Sequence, residues 1–139
     1  MPADTDRRVA ALRRSTIFAE LEAPFLTRLA GEMTDVDLPA GHVLIEPRMP
    51  GAGLYVIEDG TVTVTPRSGG SVDLGPGDVV GEIALLARDG VRTARVQAKT
   101  ALRCLALDRA AFQRALEDEP QLAVALLQVA AERLAGTQV

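Results

Sequence analysis

The chain has 139 residues, 47% of them apolar, a net charge of −4, one cysteine and one histidine. That size and composition describe one globular domain burying roughly 70% of the surface its unfolded chain exposes, and they exclude a disordered chain. The acidic balance gives no bulk electrostatic case for nucleic acid, and Cys104 alone allows no internal disulfide.

No secretory signal is visible, because the N-terminus is polar and lacks an apolar core segment. The longest apolar run, 122–127, is far too short to span a bilayer. The expectation is a soluble, cytoplasmic protein that neither crosses nor binds a membrane.

Residues 4–14 have helical periodicity, with Val9 and Leu12 on one face and arginines on the other. The cluster Arg7, Arg8, Arg13 and Arg14 reads as the solvated face of that helix. Ile17, Phe18 and Leu21 then form an apolar knot, and Phe25, Leu26 and Leu29 continue at helical spacing. Pro24 suits a first helical turn and Gly31 an end. These N-terminal helices are expected to occupy 1–33.

From 34 to 107 the runs become short and β-branched, separated by glycine and proline. Residues 35–38 alternate, Pro39-Ala40-Gly41 turns, and 42–45 is a short strand. Segments 54–58 and 61–65 alternate across Asp59-Gly60, a dipeptide suited to a tight hairpin. Ser68-Gly69-Gly70 marks another turn before 71–74, and Gly75-Pro76-Gly77-Asp78 a further corner. Segments 93–98 and 102–107 complete the run. Many short strands with closely spaced turns predict a mainly β domain, a jelly-roll barrel of about eight strands.

Helical periodicity returns after Asp108, which suits an N-cap. Ala111, Phe112, Ala115 and Leu116 share a face, and Glu119-Pro120 breaks the run. A second helix is expected from Pro120 to a stop at Gly136, so the two C-terminal helices occupy 108–136. The second is apolar on more than one side, which calls for cover by the barrel, a partner or both. The whole of 1–139 reads as a single domain.

The stretch 81–96, GEIALLARDGVRTARV, carries the chemistry. Gly81 lets backbone approach a ligand closely. The apolar turn at Ile83, Ala84, Leu85 and Leu86 would offer backbone N–H groups at a helix start, a ready anion site. Arg92 supplies a planar fork suited to phosphate oxygens. Ionised Glu82 only accepts hydrogen bonds, so it suits a sugar hydroxyl rather than a phosphate. Together these groups would hold a small phosphorylated sugar.

This stretch resembles the phosphate-binding cassette of the cyclic-nucleotide-binding domain family, through Gly81, Glu82, Ala84, Leu85, Arg92, Thr93 and Ala94. The Gly81-to-Arg92 spacing is similar to that of bacterial catabolite-activator-type sensors and one residue longer than in many kinase and channel members. The resemblance extends over nearly the whole chain: LPAGHVLI is similar to the family's strand pair, LYVIEDGTVTV to its central hairpin, and the sequence from Leu107 to Leu134 to its two closing helices. It implies a double-stranded β-helix barrel with the cassette at 81–94. It also implies a cyclic nucleotide ligand, cyclic AMP or cyclic GMP, held by Gly81, Glu82, Ile83, Ala84, Arg92 and Thr93. Arg92 would pair with the cyclic phosphate, amides near Ala84 would share it, and Glu82 would take the ribose 2′-hydroxyl. Thr93 would reach the phosphate or a syn guanine edge, or else merely begin a strand, and Thr137 falls near a base-capping position. In activator-type relatives a dimer helix and a helix-turn-helix follow the barrel. This sequence contains no recognition helix, so it is not expected to read DNA alone; it would signal through a homodimer or a partner on its C-terminal helices.

The competing readings are thin in residues. His42 is the only histidine, too few for a cupin-type metal site. Pro2 and Cys104 would have to serve a haem, and Cys104 reads instead as a small core residue. No phosphate loop, metalloprotease motif or nucleophile elbow occurs, so no catalytic residue, metal or cofactor is expected. The alternative is a degenerate member of the same fold, an interaction module that binds no nucleotide.

Overall fold

The structure, a computed structural model, describes residues 2–46, 53–66, 69–81 and 94–138. Strand alternation assigns each residue a face. In β3 (Gly53–Asp59), Leu54 and Val56 point to one side and Tyr55 and Ile57 to the other. In β8 (Leu102–Asp108), Leu105 and Leu107 point with the first pair, Leu102 and Cys104 with the second. Both strands are apolar on both faces, so their sheet must be covered twice.

Two antiparallel four-stranded sheets meet this demand among the described residues. The first has the order β1-β8-β3-β6, with β1 (Thr34–Leu38) and β6 (Val79–Val80) at its edges. The second has the order β2-β7-β4-β5, formed by β2 (Val43–Ile45), β7 (Ala94–Ala98), β4 (Val62–Pro66) and β5 (Val72–Leu74). Ile45, Ile57, Val62, Val80, Val96, Ala98, Leu102 and Cys104 fill the space between the sheets. The outer face of the first sheet packs under the helices, where Leu54, Val56, Val79, Leu105 and Leu107 meet Leu12, Phe18, Leu26, Phe112, Leu122 and Leu126. Helices on sheet on sheet is the expected mainly β jelly roll with flanking helices.

The helices form where the periodicity places them. They are α1 (Pro2–Arg13), α2 (Ala23–Glu32), α3 (Arg109–Asp118) and α4 (Pro120–Gln138). Pro24 lies in the first turn of α2. Asp108 caps α3, its carboxylate accepting from the Ala111 amide at 2.8 Å. In α4, Leu122, Leu126 and Ala130 recur every fourth residue and are buried, whereas Val124 and Leu127 are 57% and 58% exposed.

Four expectations are corrected. Asp59-Gly60 does not close a hairpin, because β3 pairs with β8 and β6 while β4 pairs with β7 and β5. The dipeptide is instead a corner between sheets. Gly60 has φ 95, and a Cβ there would lie 2.2 Å from the Ala101 carbonyl oxygen. Gly31 does not end α2: the helix runs to Glu32 and stops when Met33 turns extended, with φ −89. Nor does Gly136 end α4, which continues to Gln138; one helical glycine costs only about 1 kcal/mol relative to alanine.

The fourth correction concerns the arginines of α1, which are tethers rather than a solvated face. Arg7 donates to Glu58 of β3 and, at 2.7 Å, to Asp35 of β1. Arg8 reaches Asp35 at 3.2 Å and the Ala30 carbonyl of α2 at 2.9 Å. Arg13 donates to the carbonyls of Ala19 and Leu21 at 3.0 and 2.6 Å. The hydrogen bonds that Arg7 donates to Glu58 and then to Asp35 raise its pKa, and the one from Arg7 lowers that of Asp35. Asp35→Ala should therefore destabilise the domain by about 1–3 kcal/mol at neutral pH. Because the native Asp35 pKa is depressed, its contribution is complete above the unfolded value of about 3.9 and is lost as pH falls below it. Urea unfolding of both proteins at pH 7 and pH 3 checks this; an undiminished gap at pH 3 contradicts it.

Candidate functional site

Of the predicted ligand-binding residues, Gly81 is described. It follows β6 directly with φ 93, the left-handed region that a close-approach glycine adopts. Glu82, Ile83, Ala84, Arg92 and Thr93 lie outside the described residues. Thr137 belongs to α4, and its side chain is likewise outside them.

The described strands fix where the stretch 82–93 is anchored. Val80 pairs with Tyr55 in the first sheet, and Ala94 pairs with Pro66 in the second. The stretch therefore connects two different sheets. Both anchors lie at the end of the barrel away from the Gly60 corner, because Gly81 falls beside the start of β3 and Ala94 beside the end of β4.

One pleat inward from Ala94, the second sheet presents an apolar row that sequence reading missed. Ile45, Val96, Val64 and Val72 stand opposite one another across all four strands. Ile45 and Val96 are buried, Val64 is half-buried, and Val72 is 53% exposed. The row is thus a β-branched wall that faces the barrel interior and opens to solvent at one side. Such a surface can pack against a planar base without selecting which base. Its only sequence signal is the alternation in TVTV and ARVQA; the register that aligns the residues is not local.

The described strand arginines are already committed. Arg95 Nε holds Glu46 at 2.9 Å on the outer face of the second sheet. Arg103 grips Asp37 with two hydrogen bonds of 2.7 and 3.3 Å, across directly opposed strand positions. An open depression of about 440 Å³, lined in part by Asp37, Asp59 and Arg103, lies at the Gly60 end and away from the candidate site. His42 is exposed at the start of β2, and among the described residues no cluster of His, Cys, Asp and Glu could hold a metal ion.

Residues 35–119 match the family profile of the cyclic nucleotide-binding domain, running from β1 through α3 and across the whole candidate stretch. The chain belongs to the cyclic nucleotide-binding domain family. A CRP-like cAMP-activated global transcriptional regulator of Mycobacterium tuberculosis is 31% identical over 131 residues, covering 91% of this chain and 58% of that protein. A cyclic nucleotide-gated potassium channel of Mesorhizobium japonicum is 32% identical over 118 residues, covering 84% of this chain and 32% of the channel. The chain thus spans little more than half of the first relative and about a third of the second. Among solved structures, the N-terminal domain of a transcriptional regulator from Streptomyces coelicolor superposes with a TM-score of 0.68 at 35% identity, covering 91% of this chain and 92% of that one. The Thermus thermophilus catabolite activator protein superposes with a TM-score of 0.77 at 26% identity, covering 88% and 60%.

Within this cyclic nucleotide-binding domain, Cys104 is a core residue, fully buried between the sheets. Burial, with smaller effects from Asp37 and Glu58, pushes its thiol pKa up to about 12. A disulfide reagent at pH 8 should leave the native protein unmodified and react fully after unfolding in guanidinium. Rapid modification of the native state would remove Cys104 from the core.

Proposed function

We propose that this domain is a sensor for a cyclic nucleotide monophosphate, with cyclic AMP as the first candidate and cyclic GMP as its competitor. The observation that carries the reading is the constellation Gly81, Glu82, Arg92 and Thr93, strung between β6 and β7 of a cyclic nucleotide-binding domain. In this reading Arg92 takes the cyclic phosphate, and backbone amides at Ile83 and Ala84 share it. Glu82 accepts from the ribose 2′-hydroxyl, and the base lies towards the Val72–Val64–Val96 wall. Thr93 and Thr137 are the candidates for reading the base. The relatives' names, one cAMP-activated and the other cyclic nucleotide-gated, support the ligand class.

No bond is made or broken in this function. Binding neutralises the arginine and biases an equilibrium in α3 and α4, which passes the signal on. The exposed Val124 and Leu127 of α4 support a second copy or a partner protein on that helix. Taken by itself, this domain is not proposed to read DNA, and its proposed location is the cytoplasm.

Calorimetric titration with cyclic AMP, cyclic GMP and 5′-AMP tests the proposal. Saturable binding of a cyclic ligand but not of 5′-AMP is expected. Arg92→Ala should weaken that binding roughly 10²–10⁴-fold, the loss of a bidentate charged pair, and Thr93→Ala should change the cAMP-to-cGMP ratio if Thr93 reads the base. No uptake up to millimolar ligand would instead favour an interaction module. Val72→Asp tests the wall separately. Its position is exposed, so folding should survive, while a carboxylate beside an anionic ligand should lower affinity about tenfold. Unchanged affinity would place the base elsewhere.

A further inference from the structure

The turn that feeds β6 is clamped on two sides. Gly77 has φ 92, and a Cβ there would lie 2.4 Å from the carbonyl oxygen of Arg14, the residue after α1. The Thr16 amide donates to the Gly77 carbonyl at 3.3 Å. The Gly77 amide donates to the Ile57 carbonyl, and the Ile57 amide to the Asp78 carbonyl, both at 2.9 Å. Inside the turn, the Asp78 amide donates to the Gly75 carbonyl at 3.0 Å and the Gly75 amide to the Asp78 carboxylate at 2.9 Å. Backbone therefore meets backbone, with no side chain between to absorb a displacement. Val79 and Val80, each anchored in a different core cluster, and then Gly81 follow at once. On the other side of the contact, α1 is held to β1 and β3 through Arg7, Arg8, Asp35 and Glu58.

We propose that the contact between Gly77 and the end of α1 is a positioning clamp for the candidate nucleotide site. Docked α1 fixes the turn at 75–78, and the turn fixes the direction in which β6 delivers Gly81. The inference rests on the nucleotide-sensor reading and adds the N-terminal helix as part of its regulation. Linkage makes the effect reciprocal: if docked α1 favours ligand, ligand favours docked α1 by the same factor.

Gly77→Ala strikes the clamp itself but threatens folding, so the deciding variant is Asp35→Ala. It loosens the Arg7 and Arg8 tethers of α1 from a strand at the opposite edge of the sheet from β6. Amide hydrogen exchange of the whole chain should show residues 16 and 77–80 exchanging about 10–100-fold faster in the variant, an acceleration larger than the one that the global loss of stability gives residues 62–66 and 94–98 of the second sheet. Cyclic AMP affinity should fall about 2–30-fold. Acceleration confined to α1, equal acceleration of both sheets, or an unchanged affinity would overturn the clamp. If the unmodified protein takes up no cyclic AMP, the nucleotide reading fails by itself, and the exchange comparison still decides whether α1 controls the turn.

Discussion

Burial of β3 and β8 on both faces is the constraint from which the rest of this domain follows. Each fully buried Leu, Ile, Val or Phe side chain contributes about 1.5–3 kcal/mol. A sheet covered on one side only would leave half of that contribution in water. The second sheet covers one face and the four described helices the other, so neither layer is an ornament on the other. The parity of β8 ties them together: even-numbered Leu102 and Cys104 belong to the inter-sheet core, odd-numbered Leu105 and Leu107 to the helix core. A slip of one residue would exchange the two sets and spoil both cores at once.

Charge finishes what apolar burial begins. Strand β1 is an edge strand, and Asp35 and Asp37 stand on its helix-side face rather than in the barrel. Their partners are Arg7 and Arg8 from α1 and Arg103 from the neighbouring strand. Carboxylates on an edge discourage pairing with another chain, and here they also dock a helix. All basic residues except Lys99 are arginine. The fork explains the bias where it is used: Arg7 spans two carboxylates, and Arg103 meets both oxygens of one.

What could be read from sequence was what local chemistry decides. The Asp108 cap and the first-turn proline of α2 depend on residues a few positions apart, and the structure has them as expected. The corrections share the opposite cause. Gly60 satisfies the same left-handed requirement in a hairpin as in a corner between sheets, and only the distant Ala101 carbonyl makes it a corner. Arg7 and Arg8 look solvated until Asp35 and Glu58, far along the chain, arrive beside them. Gly31 is an exposed helical position with open space around it, so neither strain nor clash obliges the helix to stop there. The candidate site divides in the same way. Residue types and spacing made its chemistry legible, while the wall of Ile45, Val96, Val64 and Val72 exists only through register across four strands.

That division bears on how such a domain could signal. A ligand held by residues 82–93 would be held between β6 and β7, and these strands belong to different sheets. Binding free energy spent there acts on the relation between the layers, not on one strand. The first sheet is also the layer on which the described helices pack, so a change in how the sheets meet is felt on its far face. Close packing leaves little room to absorb such a change side chain by side chain. Helices respond as units, and among the described residues α4 carries large apolar side chains already at the surface, Val124 and Leu127. A sensor built this way needs no ligand contact to its output helix. It needs only a sheet whose two faces are both committed, one to the ligand side and one to the helices.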